Sequence, residues 1–419
     1  MNNYIAVALL LPLSCLYSAN PTTTAARAIN NLALDLLAQA SKPQENTAFS
    51  PYSIQVALVM TYAGAEGDTR QQMARVLHYP PSDRDVVRDF AQLQNELDEM
   101  AERTAKVAAE SKKVGGPSEP ITLTIANRLF GQRGYDFRPT YLELLKKTLD
   151  SALEALDFIS DSAGATKYIN RWIAQQTRER IRDLIPPNAL NKETRLVLAN
   201  AVYLKAPWQQ QFEQNETHSA PFHFADGRSA DVPTMRRQDA FGYAKHDGFV
   251  AIALPYTGGD LQFLVLLPDT AVGLPTLESK LTPDLLAECA RLKPEEIVLY
   301  LPKWRLEPPL FALRKTFEAL GMESAFDVPQ GSANFNGIAP RRPNDYLYIS
   351  NIFHETFVEI DEKGTEAAAA TAVVMMRATA HLEEKPKPLE VRVDRPFLFA
   401  IQHRPSGACL FVGRVTDPR

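Results

Sequence analysis

The sequence predicts an α+β fold in one large domain, on three observations. Helical periodicity fills the N-terminal third, short β-branched and aromatic runs dominate from Leu196 onward, and neither a linker nor a repeat divides the 419 residues. Length alone would suggest two or three domains, but no composition break offers a boundary.

The elements follow in chain order. Ala25 to Gln39 carries Ile29, Leu32, Leu34, Leu36 and Leu37 at helical spacing. Ser50-Pro51 then places a cap and a first-turn proline at the start of a second helix running to Gly64. A third amphipathic helix is predicted over Lys167 to Ile185, with Ile169, Trp172, Ile173 and Ile181 facing the core and Pro186-Pro187 closing it. Strands are predicted at Leu196 to Leu204, Phe263 to Leu267, Ile297 to Leu301, Leu347 to Ile349, Phe357 to Ile360, Phe397 to Gln402 and Leu410 to Val415. These runs barely alternate, which predicts strands buried on both faces.

Composition excludes several functions. The net charge of -5 and the absence of a dense basic block argue against a nucleic-acid partner. Between Ala101 and Pro120, Arg103, Lys106, Lys112 and Lys113 are offset by Glu96, Asp98, Glu99, Glu102 and Glu110, so that stretch reads as a solvated helix end and loop with no polyanion cofactor. Of three cysteines, Cys15 precedes the domain while Cys289 and Cys409 lie far apart, so no disulfide framework follows. No Gly-x-Ser-x-Gly or His-Glu-x-x-His pattern occurs, since His354-Glu355 lacks its second histidine, and no cysteine spacing suits a metal. The chain reads as neither an enzyme nor a cofactor carrier.

Residues 1–19 read as a signal peptide, because Ile5 to Leu13 is apolar, too short to span a bilayer, and followed by small Ser18 and Ala19. An unprocessed N-terminus and lipid attachment at Cys15 are the alternatives, and a secreted or periplasmic protein is the expectation. Asn215-Glu216-Thr217 fits a glycosylation sequon.

The segment after Glu362-Lys363-Gly364 is the most unusual. Thr365-Glu366, the alanines Ala367, Ala368, Ala369 and Ala370, and Thr371 to Met376 contain no Gly, Pro, Asn, Asp or Ser, although a solvated loop ordinarily does. At period two, Thr365, Ala367, Ala369, Thr371, Val373 and Met375 would share one face of a strand. Four alanines equally suit a helix, so composition leaves both states open.

From about Ala25 to Pro418 the chain resembles a serpin. The resemblance rests on Glu362-Lys363-Gly364-Thr365-Glu366-Ala367-Ala368-Ala369-Ala370-Thr371, on Phe49-Ser50-Pro51-Tyr52-Ser53, and on Asn200-Ala201-Val202-Tyr203-Leu204-Lys205 followed by Trp208. Leu254-Pro255-Tyr256, Leu301-Pro302-Lys303, His354, Arg395-Pro396-Phe397 and Phe411-Val412-Gly413-Arg414 fall in the same order as in that family.

The resemblance implies three β-sheets with eight or nine helices in a single domain over 20–419, and an exposed reactive-centre loop at about 362–394 whose hinge runs from Glu362 to Ala370. It also implies a monomeric suicide-substrate inhibitor of serine endopeptidases, in which Ser50, Ser53, Asn200 and His354 form a polar shutter and Trp208 marks the insertion end. Counting from Glu362 puts the cut between Ala378 and Thr379, which suits an elastase-like or subtilisin-like protease; a hinge one residue shorter puts it between Arg377 and Ala378, for a trypsin-like one. Inhibition of cysteine proteases by the same trap and a non-inhibitory carrier or chaperone role are the alternatives. The chain departs from the family's wording at Ala206-Pro207, where a Gly-x pair is usual.

Overall fold

The computed structural model describes residues 23–39, 42, 44–80, 85–113, 119–149, 153–365 and 387–419, with the side chains of 125–127 and 200 left aside. Among them are nine α-helices: α1 Thr24–Gln39, α2 Pro51–Tyr62, α3 Gly67–Val76, α4 Val86–Lys113, α5 Pro139–Leu149, α6 Phe158–Gln176, α7 Leu274–Lys280, α8 Pro283–Cys289 and α9 Arg314–Ala319. The strands up to the middle of the chain are β1 Thr47–Phe49, β2 Thr122–Gln132, β3 Leu153–Leu156, β4 Leu196–Pro207, β5 His218–His223, β6 Ser229–His246, β7 Phe249–Pro255 and β8 Leu261–Pro268. The remainder are β9 Lys293–Pro302, β10 Trp304–Leu306, β11 Phe311–Ala312, β12 Phe353–His354, β13 Val358–Asp361, β14 Gly364–Thr365, β15 Leu389–Arg392, β16 Phe397–His403 and β17 Ala408–Val415.

They form three sheets. A nine-stranded sheet runs β1-β17-β16-β8-β7-β6-β9-β15 with β5 paired to β6, a six-stranded sheet runs β10-β13-β14-β4-β2-β3, and β11 pairs with β12. Every residue of β8, β16 and β17 is buried, which is why those runs do not alternate. Helix α2 is buried on nearly all sides because it packs against β17 of one sheet and β4 of the other. A helix without a polar face is stable only in such a sandwiched position.

Two expectations need correction. The third helix spans Phe158–Gln176 and stops nine residues before Ile185. Arg178 and Glu179 adopt left-handed backbone at φ 49° and 65°, while Thr177 Oγ1 accepts from the Ile181 amide at 3.1 Å. Ile181 is still buried, so the apolar spacing persisted beyond the helix into a packed connector. Leu347 to Ile349 is not a strand: the Ile349 amide donates to the Ala325 carbonyl at 2.8 Å, and the segment lines a cavity. The charged stretch after Ala101 forms the end of α4, as expected, and stays helical to Lys113 with side-chain pairs such as Glu110 with Lys113 at 2.6 Å.

The six-stranded sheet positions the site. Strand β4 pairs antiparallel with β2 from Leu196 opposite Gly131 to Lys205 opposite Thr122. On its other side, the described residues join β4 to β13 only through β14, with Gly364 opposite Pro207 and Asp361, and Thr365 opposite Ala206 and Ile360. Farther down, a cavity of about 150 Å³ separates Leu196 and Leu198 of β4 from Ile349, Ile352 and His354, and Leu58 and Thr61 of α2 form its floor.

Candidate functional site: the seam of the six-stranded sheet

At the upper end of the seam, β4 finishes at Pro207, which has no N–H to donate to a continuing ladder. The chain turns into Trp208, whose buried ring lies parallel to Tyr256 at 4.7 Å and meets Phe212 and Phe263 edge-on. Trp208 Nε1 donates to the Asp361 carbonyl at 2.9 Å, its amide donates to the Lys363 carbonyl at 2.8 Å, and the Phe212 amide donates to the Glu362 carbonyl at 2.8 Å. Three consecutive carbonyls of the hinge's first turn are thus held by one aromatic corner. Asp361 Oδ1 accepts from the amides of Lys363 and Gly364 at 2.8 and 3.2 Å, closing the turn from inside.

Gly364 is required there. Its φ is +148°, and a Cβ would come within 2.1 Å of the Ala206 carbonyl oxygen. The unusual Ala206-Pro207 pair is therefore accommodated: Ala206 lies in the ladder and the Pro207 carbonyl accepts from the Thr257 amide at 2.9 Å. Thr365 is only 2% exposed, and its hydroxyl is hydrogen-bonded to that of Tyr256.

The Glu362 carboxylate, 6% exposed, accepts from Thr217 Oγ1 at 2.9 Å and pairs with Lys303 Nζ at 2.9 Å. Burial acts to raise its pKa, but the hydrogen bonds from Lys303 and Thr217 and the lysine's charge outweigh burial and hold it below the ordinary glutamate range. The adjacent Asp361 moves the other way: burial raises its pKa and the two amides only partly offset that.

At the lower end, His354 is buried with its pKa pushed down to about 3 by desolvation, so the imidazole is neutral. Its Nε2 accepts from the Ser50 amide at 3.0 Å, which requires the proton to reside on Nδ1. Ser50 Oγ donates to the Leu410 carbonyl at 2.8 Å and caps α2 by accepting from the Ser53 amide at 3.2 Å. The Ser53 hydroxyl is buried and has no partner among the described residues.

The fold brings together Ser50, Ser53 and His354, and about the other end Trp208, Glu362, Gly364 and Thr365. Asn200 lies on β4 opposite Asn127, and its side chain is outside the described set. Glu366, Ala367, Ala368, Ala369, Ala370 and the bonds at Arg377, Ala378 and Thr379 also lie outside the described residues. Sequence reasoning gave no role to Tyr256, Lys303, Asp361 or Thr217. The first two stood inside quoted matches, but only the tertiary contact with the hinge distinguishes them.

The site is thus a sheet whose seam holds a two-residue strand at one end and a cavity farther down. The family model described as "Serpin (serine protease inhibitor)" matches residues 27–418, and the chain belongs to the serpin family. It is 34% identical to Serpin B6 of Pongo abelii, over 94% of this chain and 99% of that one. It is 35% identical to leukocyte elastase inhibitor of Sus scrofa, over 90% and 94% of the two chains. The solved structure titled "Cleaved Serpin 42Da" superposes with a TM-score of 0.77 at 31% identity, covering 95% of this chain and 99% of that one. Protease inhibition is the activity class these relatives support, and serpins generally are not catalysts.

The same relatives overturn the secreted or periplasmic location expected from residues 1–19. Serpin B6 and leukocyte elastase inhibitor are intracellular serpins that lack secretion signals. A short apolar run with small residues after it was too weak a pattern to carry that expectation, and residues 1–19, with Cys15, lie outside the described set. No helix among the described residues is long and apolar enough to cross a membrane.

Proposed function

We propose that this serpin is a monomeric, single-domain suicide-substrate inhibitor of serine endopeptidases. The protease serine attacks the carbonyl of Ala378, an ester forms as the bond to Thr379 breaks, and the new Thr379 amine takes the proton that the protease histidine removed from its serine. The freed hinge side then enters the seam between β13 and β4 and carries the acylated protease along before water can complete hydrolysis.

The observation that supports this reading is the position of the hinge: Gly364 and Thr365 occupy the top of the seam between β13 and β4, and a cavity of about 150 Å³ lies farther down it. Fifteen residues from Gly364 to Ala378, extended, reach roughly 50 Å at about 3.3 Å each, enough to cross a domain. Ladder bonds worth about 0.5–1.5 kcal/mol each would together release on the order of 10 kcal/mol. The uncleaved form is then kinetically trapped rather than the most stable state. In this reading Ser50, Ser53, Asn200 and His354 hold the lower strands until insertion, and Trp208 anchors the end where it begins.

Small Ala378 favours an elastase-like or subtilisin-like target, in keeping with the name of the relative leukocyte elastase inhibitor. The test incubates the full chain with an elastase-like, a trypsin-like and a papain-like protease. The expected result is an SDS-stable complex with the elastase-like enzyme and a released fragment starting at Thr379. A fragment starting at Ala378 moves the cut to Arg377, a complex with the papain-like enzyme alone replaces the target class, and clean cleavage without any complex refutes inhibition.

A further inference from the structure

We propose that Tyr256 is a positioning residue for loop insertion: its hydroxyl, carried by the turn after β7 of the nine-stranded sheet, holds Thr365 in the seam so that the first strand pair is in place before the loop is cut. The proposal rests on the inhibitory reading above.

Tyr256 follows β7 in the nine-stranded sheet, whereas Thr365 belongs to the seam of the six-stranded one. The Tyr256–Thr365 hydrogen bond therefore ties the hinge to the nine-stranded sheet. Both side chains are buried, at 0% and 2% exposure, so water cannot replace either partner. The phenol's direction is set twice. Its ring stacks on Trp208 with 3° between planes, and its backbone donates to the Leu261 carbonyl at 3.0 Å.

The turn after Tyr256 is held from outside as well. The Gly259 amide donates to the Tyr256 carbonyl at 2.9 Å, Arg404 donates from Nη1 to the Gly259 carbonyl and from its amide to the Asp260 carbonyl, both at 2.8 Å, and Arg103 of α4 pairs with the Asp260 carboxylate at 2.8 Å. Thr104 of α4 sits where a side chain at Gly258 would otherwise fall, its methyl 2.9 Å from the Cβ position. A phenol anchored this firmly offers the hinge one fixed address. Since trapping is a race between insertion and hydrolysis, a hinge already seated at its first pair starts the race ahead.

The experiment compares full-length Tyr256→Phe, Thr365→Val, Thr365→Ser and the Tyr256→Phe/Thr365→Val double variant. Each is measured for amide exchange in the peptide spanning Glu362 to Thr365 and for the number of inhibitor molecules consumed per protease trapped. Tyr256→Phe and Thr365→Val are each expected to speed exchange about tenfold and to raise consumption at least twofold. Thr365→Ser, which keeps the hydroxyl, restores wild-type values, and the double variant is no worse than either single one. Wild-type exchange in Tyr256→Phe, or additive effects in the double variant, overturns the proposal. If Tyr256→Phe does not fold, the contrast between Thr365→Val and Thr365→Ser decides. If the wild-type protein traps no protease, the inhibitory reading fails, while the exchange comparison still decides whether Tyr256 seats the hinge.

Discussion

The two ends of the seam are built from different chemistry. The upper end is crowded with directional bonds: Trp208, Phe212, Tyr256, Lys303 and Thr217 all reach residues 361–365. The lower end is a cleft lined by apolar Leu58, Leu196, Leu198 and Ile349 together with Glu193, Arg195 and Asn351, where neutral His354 and Ser50 tie α2 to the strands around it. Polar clamps specify a position, whereas apolar walls reward whatever small apolar chain fills them. In the inhibitory reading proposed above, such a seam would fill in a defined direction, from the clamped end downward.

Placing a charge in the first seated position gives the most severe test of that contrast. In Thr365→Arg a guanidinium would replace a hydroxyl that is 2% exposed, next to a protonated phenol and without a carboxylate at its tip. We expect the variant to be cleaved as a substrate with stable complex reduced more than tenfold, read on denaturing gels. Undiminished trapping would show that the clamped end has no part in insertion.

Next in size is the pH dependence of the lower end. His354 titrates at about 3 in the folded protein and near its ordinary value when unfolded, so between those values the unfolded chain binds the extra proton. Its contribution to stability is complete above about pH 6.5. It declines as pH falls toward 3, by up to about 1.4 kcal/mol per pH unit. His354→Gln, which still offers an oxygen to the Ser50 amide, should flatten the urea midpoint between pH 6.5 and 4.5 relative to wild type. Parallel curves would mean that another group, such as buried His403 at about 4, governs that range.

At the upper end the pKa shift has the same sign but another cause, since hydrogen bonds and a lysine charge favour an anion there whereas burial favours a neutral ring at the lower end. Glu362 has a lowered pKa, so its contribution is present above the ordinary glutamate range and is lost only as pH falls through the lowered value. Replacing it with Gln keeps the shape but removes the charge opposite Lys303, and should lower stability by about 1–2 kcal/mol in urea. The smallest expected effect is Ser50→Ala, which forfeits the α2 cap and the bond to Leu410 for about 1 kcal/mol. A much larger loss would mean that the two hydroxyls and His354 act as one network, a conclusion a double variant with His354→Gln would test.

The legible part of the fold was local. Ser50-Pro51 announced the start of α2, and the unalternating runs at Phe263, Phe397 and Leu410 announced strands buried on both faces. Where local pattern and tertiary pairing diverged, the pattern failed: Leu347 to Ile349 has strand composition but faces a cleft, and the spacing through Ile181 continued past a helix that left-handed backbone had already ended. In the site, the small apolar segment after Gly364 stood out because its composition departs from what a solvated loop needs, while Glu366 to Met376 lie outside the described residues. Tyr256 and Lys303 did not stand out, because a phenol or an ammonium acquires meaning only from what it touches.

By itself the sequence determined the class of architecture and the family, since each is written in contiguous residues whose steric and solvation preferences act over a few positions. Only the tertiary structure decided that Gly364 and Thr365 sit in the seam, that Gly364 can be nothing larger beside the Ala206 carbonyl, and that Tyr256 and Glu362 meet partners 109 and 59 positions away. Those contacts depend on burial, which removes water as the competing hydrogen-bond partner, and burial is a property of the packed chain rather than of any segment of it.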